Sequence, residues 1–169
     1  MDEKDVQLGE GFVGPGPELA HVNTALGFRS GPVGTAWVTS LATPTSGFAR
    51  FVAVIQPGVP VKPMTLFVNK AALVSDRHGQ LTWGAAQAGV AKGVARALLD
   101  EVIDPCLADA LALIVAVWVD PAASDESAVF ANNDEATYAA LLAGRDRAPT
   151  IGDVVAAIGN PHNPFFPTA

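Results

Sequence analysis

A few side chains combine a reactive type with a suggestive position. His21 follows a Gly14-Pro15-Gly16-Pro17 turn and can give or take a proton near neutral pH. Asn23 shares its face of a strand read over 18–26, with Leu19, His21 and Asn23 on one side and Ala20, Val22 and Thr24 on the other. The Asn23 amide can donate and accept hydrogen bonds but supplies no charge. Lys70 follows Asn69 at a strand end, and Lys62 sits in a proline-rich loop; each suits a carboxylate, a phosphate or a polar heterocycle. Gln87 falls four residues after Trp83, on the apolar side of a long helix. An amide there must find partners, because an unpaired buried amide is costly. Backbone groups and a ligand are equally good partners. Strand histidines are more often hydrogen-bonded or surface residues than acids, and most lysines are simply solvated.

Other chemistries find no support. There is no phosphate-binding glycine loop ending in Lys-Ser/Thr, no dinucleotide fingerprint after a strand and no nucleophile elbow. His21, His78 and His162 lack metal-ligand spacing, and the lone Cys106 allows neither an intrachain disulfide nor a cysteine zinc cluster. Ten Lys and Arg against seventeen Asp and Glu give a net charge of −7. That argues against broad binding to nucleic-acid phosphates or an anionic membrane, though not against a local pocket for one small anion. The longest apolar run, 110–119, is too short to cross a bilayer, and the acidic start shows no secretory signal. A reduced, cytoplasmic setting is expected.

The elements that must position these residues follow from 169 residues, half of them apolar, which suffice for one core. Strands are expected over 7–13 and 18–26. Pro32 opens a helix to residue 41, stopped by Thr43-Pro44-Thr45-Ser46-Gly47. The apolar run 51–55 reads as a central strand, 56–63 as a rigid loop, and 65–68 and 71–74 as further strands. A helix spans 78–101 with an apolar stripe of Trp83, Val90, Val94 and Leu98; Gly84, Gly89 and Gly93 suggest that another backbone packs closely on it. The strand 110–119 is the best buried, a helix follows over 126–142 before Gly144, and a last short helix covers 149–157. The expected fold is an α/β (α+β) two-layer sandwich, a mixed sheet covered by helices, in a single domain over 1–169 with irregular termini at 1–6 and 160–169.

On these residues the chain resembles the formaldehyde-activating enzyme family, hydro-lyases that condense formaldehyde with tetrahydromethanopterin. Gly9-Glu10-Gly11-Phe12-Val13-Gly14 resembles the family's Gly-Glu-Ala-Leu-Val-Gly, and Glu18-Leu19-Ala20-His21-Val22-Asn23 its Glu-Val-Ala-His-Ile-Asp. Val52-Ala53-Val54-Ile55-Gln56-Pro57 followed by Pro60-Val61-Lys62-Pro63-Met64-Thr65-Leu66 tracks a long signature. Asn69-Lys70, Trp83-Gly84-Ala85-Ala86-Gln87, Asn133, Glu135-Ala136-Thr137 and Pro161-His162-Asn163-Pro164-Phe165 extend the collinear match.

The resemblance implies a homopentamer with the reduced pterin between neighbouring subunits, no metal, and His21 as the general acid. Protonating the hydroxymethyl adduct makes water its leaving group. The family's binding positions fall on Asn23, Val52, Lys70, Ala72 and Gln87. Asn23 stands where the family has aspartate, Ala72 where it has threonine, and Val52 where it has leucine. Two polar contacts to the ligand are thereby altered. Two other readings follow from this: a homologue that binds a pterin or formaldehyde adduct as a sensor or carrier, and a related pentameric lyase or scaffold for another ligand.

Overall fold

The computed structural model describes residues 2 and 4–166. Its frame is a five-stranded mixed sheet in the order β1-β2-β7-β6-β3, formed by β1 (Gln7–Val13), β2 (Ala20–Phe28), β3 (Arg50–Val52), β6 (Met64–Asn69) and β7 (Leu111–Trp118). β6 and β7 run parallel, and the other neighbours are antiparallel. The apolar strand β7 takes the middle, as its composition demands. A separate two-stranded hairpin joins β4 (Val54–Gln56) and β5 (Val59–Pro60).

Strand alternation divides the sheet into two unlike faces. One carries Ala20, Val22 and Leu26 of β2, Leu111, Leu113, Val115 and Val117 of β7, and Phe67 of β6, all buried. They share a core with Val90, Ala91, Val94 and Ala97 of α3 (Gln87–Leu99) and with Val129, Ala136, Ala140 and Leu141 of α4 (Glu126–Asp146). The mixed sheet and its helical layer match the expected architecture.

Small residues set the closeness of this layer. A Cβ at Gly11 would lie 2.2 Å from the Ala136 carbonyl oxygen, and one at Gly93 would lie 2.6 Å from that of Asp134. Helix α4 is therefore held between β1 and α3 at backbone contact. Gly89 belongs to the same contact, whereas Gly84 faces open space.

The other face is only partly covered. Helix α1 (Pro32–Ala42) lies over one end, where Trp37 Nε1 donates to the Met64 carbonyl at 3.1 Å and Val33 meets Gly27. The opposite end, bearing His21, stays open.

Several expectations need correction. The run 51–55 is not a central strand: β3 ends at Val52 on the sheet edge, and Val54 turns away into the hairpin. Pro57-Gly58, with Gly58 at φ 82°, folds the chain back, so Val59–Pro60 inside the expected loop makes the return strand. Residues 71–74 form a loop. The helix over 78–101 begins earlier, as α2 (Asp76–Gln80), continues through a π-helical turn (Leu81–Ala86) and ends as α3. That turn breaks the 3.6-residue period, so Val90 and Val94 are buried while Trp83 is half exposed and Leu81 points inward. Helix α4 passes through Gly144 to Asp146, because Gly144 lies against the Leu8 backbone and Arg147, at φ 54°, supplies the left-handed stop. The last helix is α5 (Ile151–Ala157). Of the termini expected to be irregular, residues 1, 3 and 167–169 lie outside the described residues; 160–166 form a turn closed by an Asn163–Phe166 bridge. No helix among the described residues is long and apolar enough to cross a membrane.

Candidate active site

The open end of the sheet is where sequence register becomes chemistry. In the β1–β2 hairpin Phe12 pairs with His21 and Glu10 with Asn23. On the other side of β2, Trp118 pairs with His21 and Ala116 with Asn23. Paired residues share a face, so these side chains stand together. His21 Nε2 lies 2.8 Å from Glu10 Oε1. A carboxylate only accepts, so Nε2 carries the proton and Nδ1 is the nitrogen left for a ligand. The imidazole also stacks on Phe12, with centroids 3.8 Å apart and planes 13° apart. With His21 24% and Glu10 58% exposed, the pair adds little stability; its effect is to fix the ring.

Lys70 completes the polar cluster. Its Nζ donates to Asn23 Oδ1 at 2.6 Å. The buried Asn69 beside it donates from Nδ2 to the carbonyls of Ala71, at 2.6 Å, and Gly47, at 3.2 Å, which pins the loop leaving β6. Burial lowers the Lys70 ammonium from its ordinary value to about 8, against the opposing pull of Glu10. Phe165, from the C-terminal segment, meets Trp118 edge-on at 5.2 Å. Phe12, His21 and Trp118 thus form a row of rings across three strands, a surface suited to a flat heterocycle.

The remaining positions lie elsewhere within one chain. Val52 is half-buried on β3, three strand spacings from β2, roughly 14 Å. Ala72 is exposed in the loop after Lys70, near Gly47. Gln87, 7% exposed, binds the Val54 backbone both ways: its Oε1 accepts from Val54 N–H at 3.1 Å, and its Nε2 donates to Val54 C=O at 3.1 Å. Of its two possible partners, backbone and ligand, the backbone takes both ends of the amide. Lys62 pairs with Asp109 at 2.6 Å, away from the cluster. His78 is buried with Nε2 donating to the Val119 carbonyl at 3.0 Å. Among the described residues no three His, Cys, Asp or Glu side chains group as a metal site.

A family model described as formaldehyde-activating enzyme (Fae) matches residues 8–166. The chain belongs to the formaldehyde-activating enzyme family. It is similar to the 5,6,7,8-tetrahydromethanopterin hydro-lyase of Methanosarcina barkeri, at 36% identity over 94% of this chain and 89% of that protein. It is also similar to the bifunctional enzyme Fae/Hps of Methanosphaera stadtmanae, at 35% identity over 89% of this chain, and to that of Methanococcoides burtonii, at 36% over 88%. The chain spans 37% of each of those two longer proteins.

Within this formaldehyde-activating enzyme fold, the candidates His21, Asn23 and Lys70 come together, and Glu10, Phe12, Trp118 and Phe165, which the sequence reading did not single out, surround them. The signal for the first two was present. Two strands joined by a short Gly/Pro-rich connection pair antiparallel, which carries Glu10 and Phe12 to the face of Asn23 and His21. Trp118 needed the pairing of β2 with β7, far apart in sequence.

Proposed function

We propose that the chain condenses formaldehyde with tetrahydromethanopterin, or a closely similar reduced pterin, releasing water, and that His21 is the general acid. The observation that carries this reading is His21 fixed between Glu10 and Phe12 on a ring-lined face of a formaldehyde-activating enzyme fold. One pterin nitrogen adds to formaldehyde to give a hydroxymethyl adduct. The hydroxyl leaves only once it is protonated, and His21, held through Nε2 by Glu10, supplies that proton from Nδ1. The second pterin nitrogen then closes the methylene bridge, helped by its proximity on the bound substrate. Asn23 and Lys70 supply polar contacts to the bound substrate.

The reading includes a homo-oligomer, a pentamer by resemblance, with the pterin between subunits. Two features support assembly. Val52 lies three strands from His21's strand within one chain, and the C-terminal segment exposes Ile151, Val154, Val155, Ile158 and Phe166. Asn23, which leaves the Lys70 ammonium without a carboxylate partner, favours the second reading, a homologue that binds the pterin or adduct without fast turnover. His21→Gln separates the two. If the chain is a catalyst, this change lowers the rate about 10²–10⁴-fold and leaves pterin affinity nearly intact. A rate already at background in the native protein supports the binding homologue.

A further inference from the structure

We infer that the Lys70 amine is a nucleophile that captures formaldehyde as an imine and hands its carbon to the acceptor amine. This deepens the site proposed above by passing the carbon through Lys70 in place of direct addition of the pterin to free formaldehyde, and the capture itself does not depend on the pterin. Formaldehyde is too small to be gripped by shape or by more than a hydrogen bond or two. An amine holds it covalently, provided that the amine is uncharged.

Partners decide which lysine can do this. The chain has Lys4, Lys62, Lys70 and Lys92. Lys62 pairs with Asp109 at 2.6 Å and Lys92 with Asp134 at 2.7 Å, so each has a carboxylate partner. Lys70 is held at 2.6 Å by the neutral Asn23 amide, which accepts from an amine and an ammonium alike. Among the described residues, the charged and titratable groups that the strands beside Lys70 bring to this end of the face are Glu10 of β1 and His21 of β2, bonded to each other, and Arg50 of β3, whose guanidinium is bonded to the Thr43 carbonyl. β7 contributes the uncharged Ala112, Ile114, Ala116 and Trp118 to this face. Burial of Lys70 lowers its ammonium to about 8, consistent with a share of free amine at neutral pH. The backbone beneath it is fixed, with Lys70 N–H donating to the Val117 carbonyl at 2.7 Å.

The step balances without redox. The Lys70 Nζ lone pair bonds to the formaldehyde carbon, the carbonyl π pair moves to oxygen, and a proton passes from nitrogen to that oxygen. A proton from His21 then reaches the hydroxyl, the C–O bond breaks, and water leaves. The nitrogen lone pair closes the protonated imine. Amine, formaldehyde and one proton give iminium and water. The acceptor amine attacks the same carbon and loses its proton. Nζ takes up a proton, its C–N bond breaks, and Lys70 is regenerated.

The test is reductive trapping on the whole protein without pterin. Isotopically labelled formaldehyde and cyanoborohydride are added at pH 7, and the initial rate of monomethylation at each lysine is read by peptide mass mapping. About a tenth of an amine titrating near 8 is neutral at pH 7, against less than a thousandth of an ordinary lysine, so Lys70 labels on the order of 10²-fold faster than Lys62 or Lys92. Asn23→Asp sets a carboxylate beside the amine and brings Lys70 labelling down toward that of the other two. Labelling of Lys70 no faster than that of Lys62 and Lys92 overturns the inference. Fast labelling together with no acceleration of pterin condensation sustains the capture and defeats the condensing reading. Full condensation by Lys70→Arg defeats the covalent role and leaves that reading standing.

Discussion

Replacing Gln87 with leucine asks what its amide does. Both ends of that amide are bonded to Val54, and the side chain is buried. Leucine fills a similar volume but leaves the half-buried Val54 N–H and C=O without their side-chain partners. Two backbone groups that lose their partners at about 1–2 kcal/mol each give roughly 2–4 kcal/mol of destabilisation. With a urea slope of about 2 kcal/mol/M for a chain of this size, the midpoint falls by roughly 1–2 M. The assay is urea unfolding of both proteins at equal protein concentration, since assembly couples stability to concentration. Pterin affinity is measured alongside it. An unchanged midpoint with a large loss of affinity would refute the assignment, because the amide would then serve the ligand rather than the β4–β5 hairpin.

Glu10→Gln keeps the side chain's size but removes the carboxylate that fixes His21; the condensation rate falls about 10–10²-fold with pterin affinity little changed, as read from kcat and KM. Lys70 gives a stability signature. Its folded value, about 8, lies below its ordinary value of 10.5, so the unfolded chain binds more protons between them. Stability therefore rises as pH climbs from about 8 toward 10.5, and denaturant titrations of Lys70→Met lack that rise. Glycine substitutions separate close packing from open helix. Gly93→Ala lowers stability by about 1–3 kcal/mol, because its Cβ would meet the Asp134 carbonyl, whereas Gly84→Ala, with open space around it, raises stability by about 0.4–1 kcal/mol in thermal unfolding.

Much of this molecule was legible in its sequence, and the failures have physical causes. The face shared by His21 and Asn23 followed from alternation, and β7 followed from an unbroken apolar run. Phe51 to Ile55 misled because apolarity does not distinguish a central strand from an edge strand that turns into a hairpin; the Pro57-Gly58 turn decides. Trp83 misled because one π-helical turn shifts the phase of everything before it. Gly144 looked like a stop because close approach to β1 and helix termination both favour glycine. In the site, His21 and Lys70 carried their chemistry in their residue types. The link from Lys70 to Asn23 joins residues on different strands with β7 between them, so only the folded sheet reveals it.

The most direct measurement is the rate of methylene-pterin formation from formaldehyde and tetrahydromethanopterin with and without the protein, corrected for the spontaneous reaction and repeated with His21→Gln. The account predicts a clear acceleration by the native protein that His21→Gln abolishes. An acceleration that survives His21→Gln unchanged, or none in the native protein, would contradict it.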